Sequence, residues 1–289
     1  IFSNTIDDHL MEITHVLRGE EHLSNMAKQF LLAEALNIMP PQFGHLPLIF
    51  NPNRTKMSKR KDPVSISDDF KAKGYLPEAL INFIALLGWS AGDDREIYPI
   101  HDLIESFQID RVGKSPSIFD ADKLLWMNGF YIRHMDIGDL ASRAQNFITN
   151  KEIFKATLDN PDFFLQVVAL VQDRMKLLAD IESLIQFFYA LPDYPAELLI
   201  AKKSDRERTV KALAVALATL EKLELLTFDD MDVAFRAAAA TAELTAGELL
   251  WAVRVALSGS AASPGAFELL EVFGKDESLK RLQAAAAKI

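Results

Sequence analysis

Apolar positions recur along this chain with two different periods, and the change of period divides it. In the first fifty residues, the runs over 13–17 and 45–50 are short, strand-like and bounded by turn formers such as Asn51, Pro52 and Asn53. Between them, residues 24–36 have helical spacing, with Ser24 as N-cap and Ala27, Phe30, Leu31 and Ala35 on one face. Ile1 opens in what reads as another strand, with Asp7 and Asp8 close behind, so the expectation is an excised piece whose partner strands lie upstream. A strand leading into a helix is the unit of a doubly wound α/β fold, where ligands sit at the carboxyl ends of the strands. Arg18 and Gly19 fall at such an end.

Beyond residue 63 the period is helical. Residues 67–87 form one such stretch, with Pro77 at a helix start, Leu80, Ile81, Ile84 and Leu87 as the buried stripe, and Gly88 in the position that ends the helix. Trp89 reads as a core anchor rather than a stacking platform, because aromatic side chains mostly bury area. Short helices are predicted over 101–107 and over 120–128, the second capped by Asp120 and closed by Gly129. From about Asp136 onward no stretch reads as a strand. Helices are predicted over 162–191, 206–226, 229–241, 245–257, 267–273 and 278–288, with one loop rich in Gly, Ser and Pro over 258–265. Ala237–240 and Ala284–287 are favourable helix sequence, and no repeat period suggests a solenoid.

Composition changes this picture little. A chain of 289 residues, 49% hydrophobic and 25% charged, fits two or three soluble globular domains. The absence of cysteine excludes disulfides and thiolate-held zinc and fits a reducing compartment. No apolar run reaches membrane-spanning length and no signal peptide is present, so a cytoplasmic protein is expected. A net charge of −10 argues against a general nucleic-acid coat, while leaving room for a local basic face.

That local face is conspicuous. Five of the eight residues from Arg54 to Lys61 are cationic, between two apolar runs. Such a loop can be a solvated surface feature, or it can close over a polyphosphate, with Lys as mobile point charge and Arg as planar fork. Arg18 likewise has two readings, a surface partner of Glu20 or Glu21, or a fixed guanidinium for a carboxylate ligand. The six histidines, 9, 15, 22, 45, 101 and 134, form no H-x-G-H and no metal-ligand spacing, so no bound metal is expected.

The order of residues in the basic loop is informative. Lys56-Met57-Ser58-Lys59-Arg60 resembles the KMSKS signature of class I aminoacyl-tRNA synthetases, in the KMSKR form of the glutamyl enzymes. The segments THVLRGEEHL (14–23), GHLPL (44–48), GYLPEAL (74–80), LLGW (86–89) and WMNG (126–129) are similar to bacterial-type glutamyl-tRNA synthetase in order and spacing. So are QDR (172–174), LAD (178–180), VRVALSG (253–259) and SPGAF (263–267). The resemblance covers essentially the whole chain, more tightly before residue 135. It implies a mainly α protein. Residues 1–62 would be the remnant of an α/β Rossmann-type catalytic domain with the KMSKR loop, and 63–135 a helical stem-contact region. Residues 136–204 and 205–289 would be two subdomains of an all-α anticodon-binding domain.

The resemblance also implies roles. The reaction is activation of L-glutamate by ATP with Mg²⁺ to glutamyl-adenylate, then transfer to the 3′ end of tRNA(Glu). Lys59 would meet the ATP phosphates, Lys56 and Arg60 would support the loop, Ser58 would bond locally, and Met57 completes the motif. The main chain of Leu48 and Ile49 would hold the adenine, and Arg18, Asn4 and Asp7 the amino acid. Arg174, Arg254, Ser263, Pro264 and Phe267 would lie at the anticodon, although Phe267 also reads as core and each Arg as a helix ion-pair partner. The family is usually monomeric. An all-helical tail separates the chain from glutaminyl enzymes, which read the anticodon with β-barrels, and from shortened relatives that lack an anticodon domain. The family's HIGH-type ATP motif is missing from these residues, so the 289 residues alone are expected to be inactive. A non-catalytic tRNA-binding module is the competing reading, and a plain helical scaffold a remoter one.

Overall fold

Proline and glycine set the element boundaries in the computed structural model, which describes residues 1–58, 61–62 and 64–289. The chain forms two units, Ile1–Tyr131 and Ile132–Ile289.

The first unit opens with a helix, α1 (Phe2–Leu10), where a strand was expected. Phe2, Ile6 and Leu10 recur at i+4, a helical period, and the Thr5 hydroxyl donates to the Ile1 carbonyl. Strand β1 (His15–Gly19), helix α2 (Leu23–Leu36) and strand β2 (Gln42–Leu46) follow, with β1 and β2 parallel and Arg18 opposite His45. The expected 45–50 strand is two pieces, β2 and β3 (Ile49–Phe50), divided by Pro47, which has no N–H to give a ladder. Helix α2 starts one residue before Ser24 and has no side-chain cap. Its buried residues are Gln29 and Ala33, whereas Phe30 and Leu31, expected in the core, are exposed.

The expected single helix over 67–87 is also broken. A π-helical turn (Ile66–Lys71) capped by Ser65 ends before Gly74, whose φ of 85° suits glycine alone without strain. Then α3 (Pro77–Leu86) begins on Pro77 and buries Ala79, Asn82 and Phe83, leaving Ile81 and Ile84 exposed. The stripe is one residue out of phase with the expected one, because Asn82 is drawn inside by the Tyr98 amide at 2.9 Å and the Tyr131 hydroxyl at 3.0 Å. Leu87 is the C-cap of α3, which puts Gly88 just beyond the helix end as expected, although the φ of Gly88 is not left-handed. Trp89 is buried against Tyr98 and Leu103, as expected of a core anchor. Helix α4 (Ile100–Ser106) and strand β4 (Ser117–Ile118), parallel to β3, precede α5 (Ala121–Arg133). Asp120 caps α5 through the Lys123 amide, but Gly129 does not close it. Asn128, buried one residue earlier, accepts from the Leu76 amide at 2.7 Å and holds the helix to the start of α3.

The second unit has no strand among the described residues. Its helices are α6 (Ile137–Ala144), α7 (Lys151–Asp159), α8 (Pro161–Val171), α9 (Ile181–Tyr189), α10 (Arg206–Lys222), α11 (Phe228–Thr241), α12 (Ala246–Ser258) and α13 (Ala266–Lys288). The expected 162–191 helix is α8 and α9 joined by 3-10 turns, and α10 stops at Lys222 rather than 226. Val210 lies on the outside of α10, where the buried stripe is Thr209, Ala212, Leu213, Ala216 and Leu220. The two expected C-terminal helices are both present, as the two limbs of α13 broken at Gly274 (φ 70°, ψ 176°).

Candidate functional sites

In the first unit, the carboxyl ends of β1 and β2 carry Arg18 and His45 side by side. The Arg18 guanidinium lies 4.8 Å above the Phe43 ring, and its Nε approaches His45 Nε2 at 3.5 Å. Its Nη2 is buried and has no protein partner, a desolvated donor aimed at nothing the described residues supply. Neither Glu20 nor Glu21 takes it. Asn4 and Asp7 are one turn apart on α1, exposed, and no hydrogen bond or ion pair among the described residues joins them to Arg18.

Downstream of β3 the first part of the basic loop, 54–58, turns back to pair with that strand. Arg54, at φ 62°, makes the tight turn that the Asn51-Pro52-Asn53 sequence announces, and Asn53 Oδ1 accepts from Thr55 Oγ1 at 2.6 Å. Lys56 bridges back to Phe50, and the Met57 amide donates to the Ile49 carbonyl at 3.0 Å. The Leu48 carbonyl accepts from the Ser117 amide at 3.1 Å, so the carbonyls of Leu48 and Ile49 both serve the protein itself. Lys56 Nζ lies 3.5 Å from Glu21 Oε1. The Glu21 carboxyl is held below its ordinary range, first by its own main-chain N–H and then by Lys56. Ser58 donates its amide to Asp62 Oδ2 at 2.7 Å. Lys59 and Arg60 lie outside the described residues.

In the second unit, two clefts carry the candidate arginines. Arg174 ends the 3-10 turn after α8 and donates to the Leu170 and Ser263 carbonyls, both at 3.2 Å. It lines a cleft of about 270 Å³ with Gln186, Ser258, Ser260 and Pro264. Arg254, on α12, donates to the Ala261 carbonyl at 2.9 Å, lies 4.7 Å over the Trp251 ring, and keeps a buried Nε without a partner. It lines a second cleft, of about 360 Å³, with Phe228, Trp251, Phe267 and Glu268. The segment from Ser258 to Gly265 runs from one cleft to the other.

Ser263 and Phe267 are buried. The Ser263 hydroxyl bonds Ser258 at 3.1 Å, and Phe267 packs edge-on against Phe228 and Phe235 at 5.4 and 5.8 Å. Phe267 is thus a core residue that also lines the second cleft, and among the described residues neither arginine makes an ion pair. Sequence reasoning missed Trp251 and Phe228. A tryptophan one helical turn before Arg254 was the available signal, since i and i+3 share a face. A guanidinium stacked on an indole beside an exposed phenyl ring presents flat apolar surface with free donors at its edge. Those are the two features, a flat stacking face and edge donors, that recognition of an unstacked base requires.

Comparison with known proteins agrees in both halves. The model of the family "tRNA synthetases class I (E and Q), catalytic domain" matches residues 1–126, and that of the "Anticodon binding domain" matches residues 139–286. Glutamate–tRNA ligase 2 of Thermoanaerobacter pseudethanolicus is 36% identical over 284 residues, covering 98% of this chain and 59% of the relative. The glutamate–tRNA ligase of Dehalococcoides mccartyi is 39% identical over 289 residues, covering 99% and 60%. The crystal structure of a glutamate tRNA ligase from Elizabethkingia meningosepticum in complex with its amino acid superposes with a TM-score of 0.83 at 30% identity. That match covers 99% of this chain and 59% of the other. The chain thus spans about three fifths of the length of these relatives. It belongs to the class I tRNA synthetases, with glutamate–tRNA ligases as its relatives over nearly all of its length.

Proposed function

We propose that this chain is a working part of a glutamate–tRNA ligase, and that the intact enzyme activates L-glutamate with MgATP and loads it on tRNA(Glu). What supports this most is the presence, in one chain, of a catalytic-domain match and an anticodon-domain match with glutamate ligases as relatives over nearly all of its length. Residues 1–62 act as the Rossmann-type part of the active site, 63–135 as the stem-contact region, and 136–204 with 205–289 as the anticodon domain.

The chemistry assigns the charges. A glutamate carboxylate oxygen attacks the α-phosphorus in line, the bond to the bridging oxygen breaks, and pyrophosphate leaves with the electron pair. A ribose hydroxyl of the terminal adenosine then attacks the acyl carbon and AMP departs. Positioning and charge stabilisation do most of this work. Arg18, with its unpartnered Nη2, takes the amino-acid carboxylate, with Asn4 and Asp7 toward the same ligand. Lys59 neutralises the phosphates, and Lys56, Met57, Ser58 and Arg60 shape the loop that carries it. Leu48 and Ile49 hold the adenine through main-chain groups. Arg174 and Arg254 read anticodon bases, Trp251 and Phe228 give them a stacking face, and Ser263, Pro264 and Phe267 shape the floor. The working form is a cytoplasmic monomer.

The test is ATP–pyrophosphate exchange by the intact synthetase with tRNA(Glu) present. Exchange should require L-glutamate, and Lys59→Ala should lower kcat by about 10²–10³-fold while changing the glutamate KM little, the signature of a charge used mainly in the transition state. Unchanged exchange kinetics would remove Lys59 from the mechanism, and exchange that ignores glutamate would remove the reading.

A further inference from the structure

Asp62 is the one acidic residue in the stretch 51–62, which holds five cationic side chains. Both of its carboxylate oxygens are in use, and both reach backward across the loop. Oδ2 accepts the Ser58 amide at 2.7 Å, and Oδ1 accepts Asn51 Nδ2 at 2.9 Å. The same Asn51 amide also reaches Thr55 Oγ1 at 3.2 Å. The main chain closes the other side, with the Asp62 and Lys61 amides donating to the Ser58 carbonyl at 3.0 and 3.1 Å. Asn51 sits directly after β3, whose Ile49 carbonyl takes the Met57 amide. One carboxylate therefore ties the strand exit, the middle of the loop and its far end together.

We infer that Asp62, oriented by Asn51, is a positioning residue that fixes Ser58 and the loop base so that the cations between Ser58 and Asp62 in sequence are presented to the nucleotide. The inference rests on the ATP-activating reading above. The physical argument is one of charge and entropy. A run of like charges repels itself and extends, and each backbone residue left free must be ordered when the loop meets its ligand, at roughly 1–2 kcal/mol. A carboxylate that accepts main-chain and amide donors prepays that ordering, and its negative charge offsets repulsion within the run. Bonds to a charged acceptor are the strong kind, and Gln or Asn in its place would set an amide N–H against a donor. A turn that merely connected β3 to the next helix would need neither the charge nor the second donor.

Two measurements decide it. On the 289-residue chain, hydrogen exchange of peptides covering 51–62 should quicken about tenfold in Asp62→Asn and in Asn51→Ala, the loss of roughly one charged hydrogen bond. Exchange over α10–α13 should not change. In the intact synthetase with tRNA(Glu) present, the same variants should lower kcat for ATP–pyrophosphate exchange about tenfold with the glutamate KM within twofold. Asp62→Glu, which keeps the charge, should recover part of the loss where Asp62→Asn does not. Unchanged hydrogen exchange overturns the clamp. Faster hydrogen exchange with unchanged kcat overturns its positioning role, since a turn with only a structural purpose would behave that way. If the unsubstituted synthetase shows no glutamate-dependent exchange, the functional reading fails and the positioning role with it, while hydrogen exchange still decides the clamp on its own.

Discussion

Only three side chains in the first fifty residues are buried, Thr5, Gln29 and Ala33, whereas α12 alone buries eight. Met39 is 88% exposed and Leu31 66%, while Leu249, Val253 and Leu257 have no accessible surface. The apolar content of the two regions does not differ enough to explain this. What differs is where the partners are. Helix α12 packs on α10 and α13, both close to it in sequence, and α11 joins them. Helix α2 has α1 beside it and Phe30 against Phe43 of β2, and still leaves most of its apolar side chains outside. An apolar stripe is an instruction to find a partner, and only the second region contains the partners its stripes call for. Burial contributes about 25 cal/mol per Å², so the C-terminal helices should carry most of the chain's stability.

The largest test of that contrast is Arg281, a charge buried at the heart of the better-packed region. Its Nη1 donates to the Phe187 and Leu257 carbonyls, both at 2.7 Å, and its Nε to Glu277 Oε1 at 2.7 Å. The guanidinium also lies 3.9 Å over the Phe273 ring. These bonds hold α9, α12 and the two limbs of α13 on either side of the Gly274 kink. Arg281→Ala leaves two buried carbonyls unmatched, so urea unfolding followed by far-ultraviolet circular dichroism should lose about 3 kcal/mol. A loss below about 1 kcal/mol would mean that packing alone holds the kinked helix, and the polar centre is incidental.

Glu248 sharpens the comparison through pH. Its carboxylate accepts Arg208 Nε at 2.6 Å and Nη2 at 2.8 Å, and the Thr245 amide and hydroxyl, both at 2.8 Å, forming the capping box of α12. Arg208 first, then the Thr245 amide, holds its pKa far below the ordinary carboxylate range. A group with a depressed folded-state pKa stabilises above the unfolded value, about 4.3 for glutamate, and that contribution drains away as pH falls through the folded value. Glu248→Gln should therefore lower stability by about 1–2 kcal/mol near neutral pH. Thermal unfolding of the two proteins should converge as the solution is taken below about pH 4. A gap that stays constant with pH would show that the amide loses packing rather than charge.

How much of this was legible in the residues follows the same line. Helices α11 and α12 were read to within one residue at each end, because Thr227 and Thr245 cap them and their stripes meet neighbouring helices. Helix α3 was read one residue out of phase, because Asn82 is pulled inside by Tyr98 and Tyr131, a polar demand no hydrophobic period can announce. At Phe2–Leu10 a helix was read as a strand from its apolar opening at Ile1, although Phe2, Ile6 and Leu10 recur at the helical period. In the basic loop the cations were legible as a motif and Asp62 was not. Its importance lies in two hydrogen bonds spanning four and eleven residues, which only the folded turn brings together. Trp251 was passed over for a similar reason. A tryptophan in a buried helix reads as core until Arg254 is seen stacked on it with Phe228 open beside them.

The smallest expected effect is the one that makes the contrast sharp. Leu31 has the residue type and the helical spacing of a core position, and by its sequence alone Leu31→Ala resembles a cavity mutation that costs 2–5 kcal/mol. Its surroundings argue otherwise. At 66% exposed it has little transfer free energy to lose, no cavity forms, and alanine has the higher helix propensity. The substitution should move the unfolding midpoint of the 289-residue chain by no more than about 0.5 kcal/mol, and in either direction. A loss of 2 kcal/mol or more in equilibrium unfolding would mean that Leu31 is covered in solution, and the first fifty residues bury a second face that the fold of this chain leaves open. That outcome would erase the difference between the two regions. A null result would fix its cause as the missing partner, not the sequence of the helix.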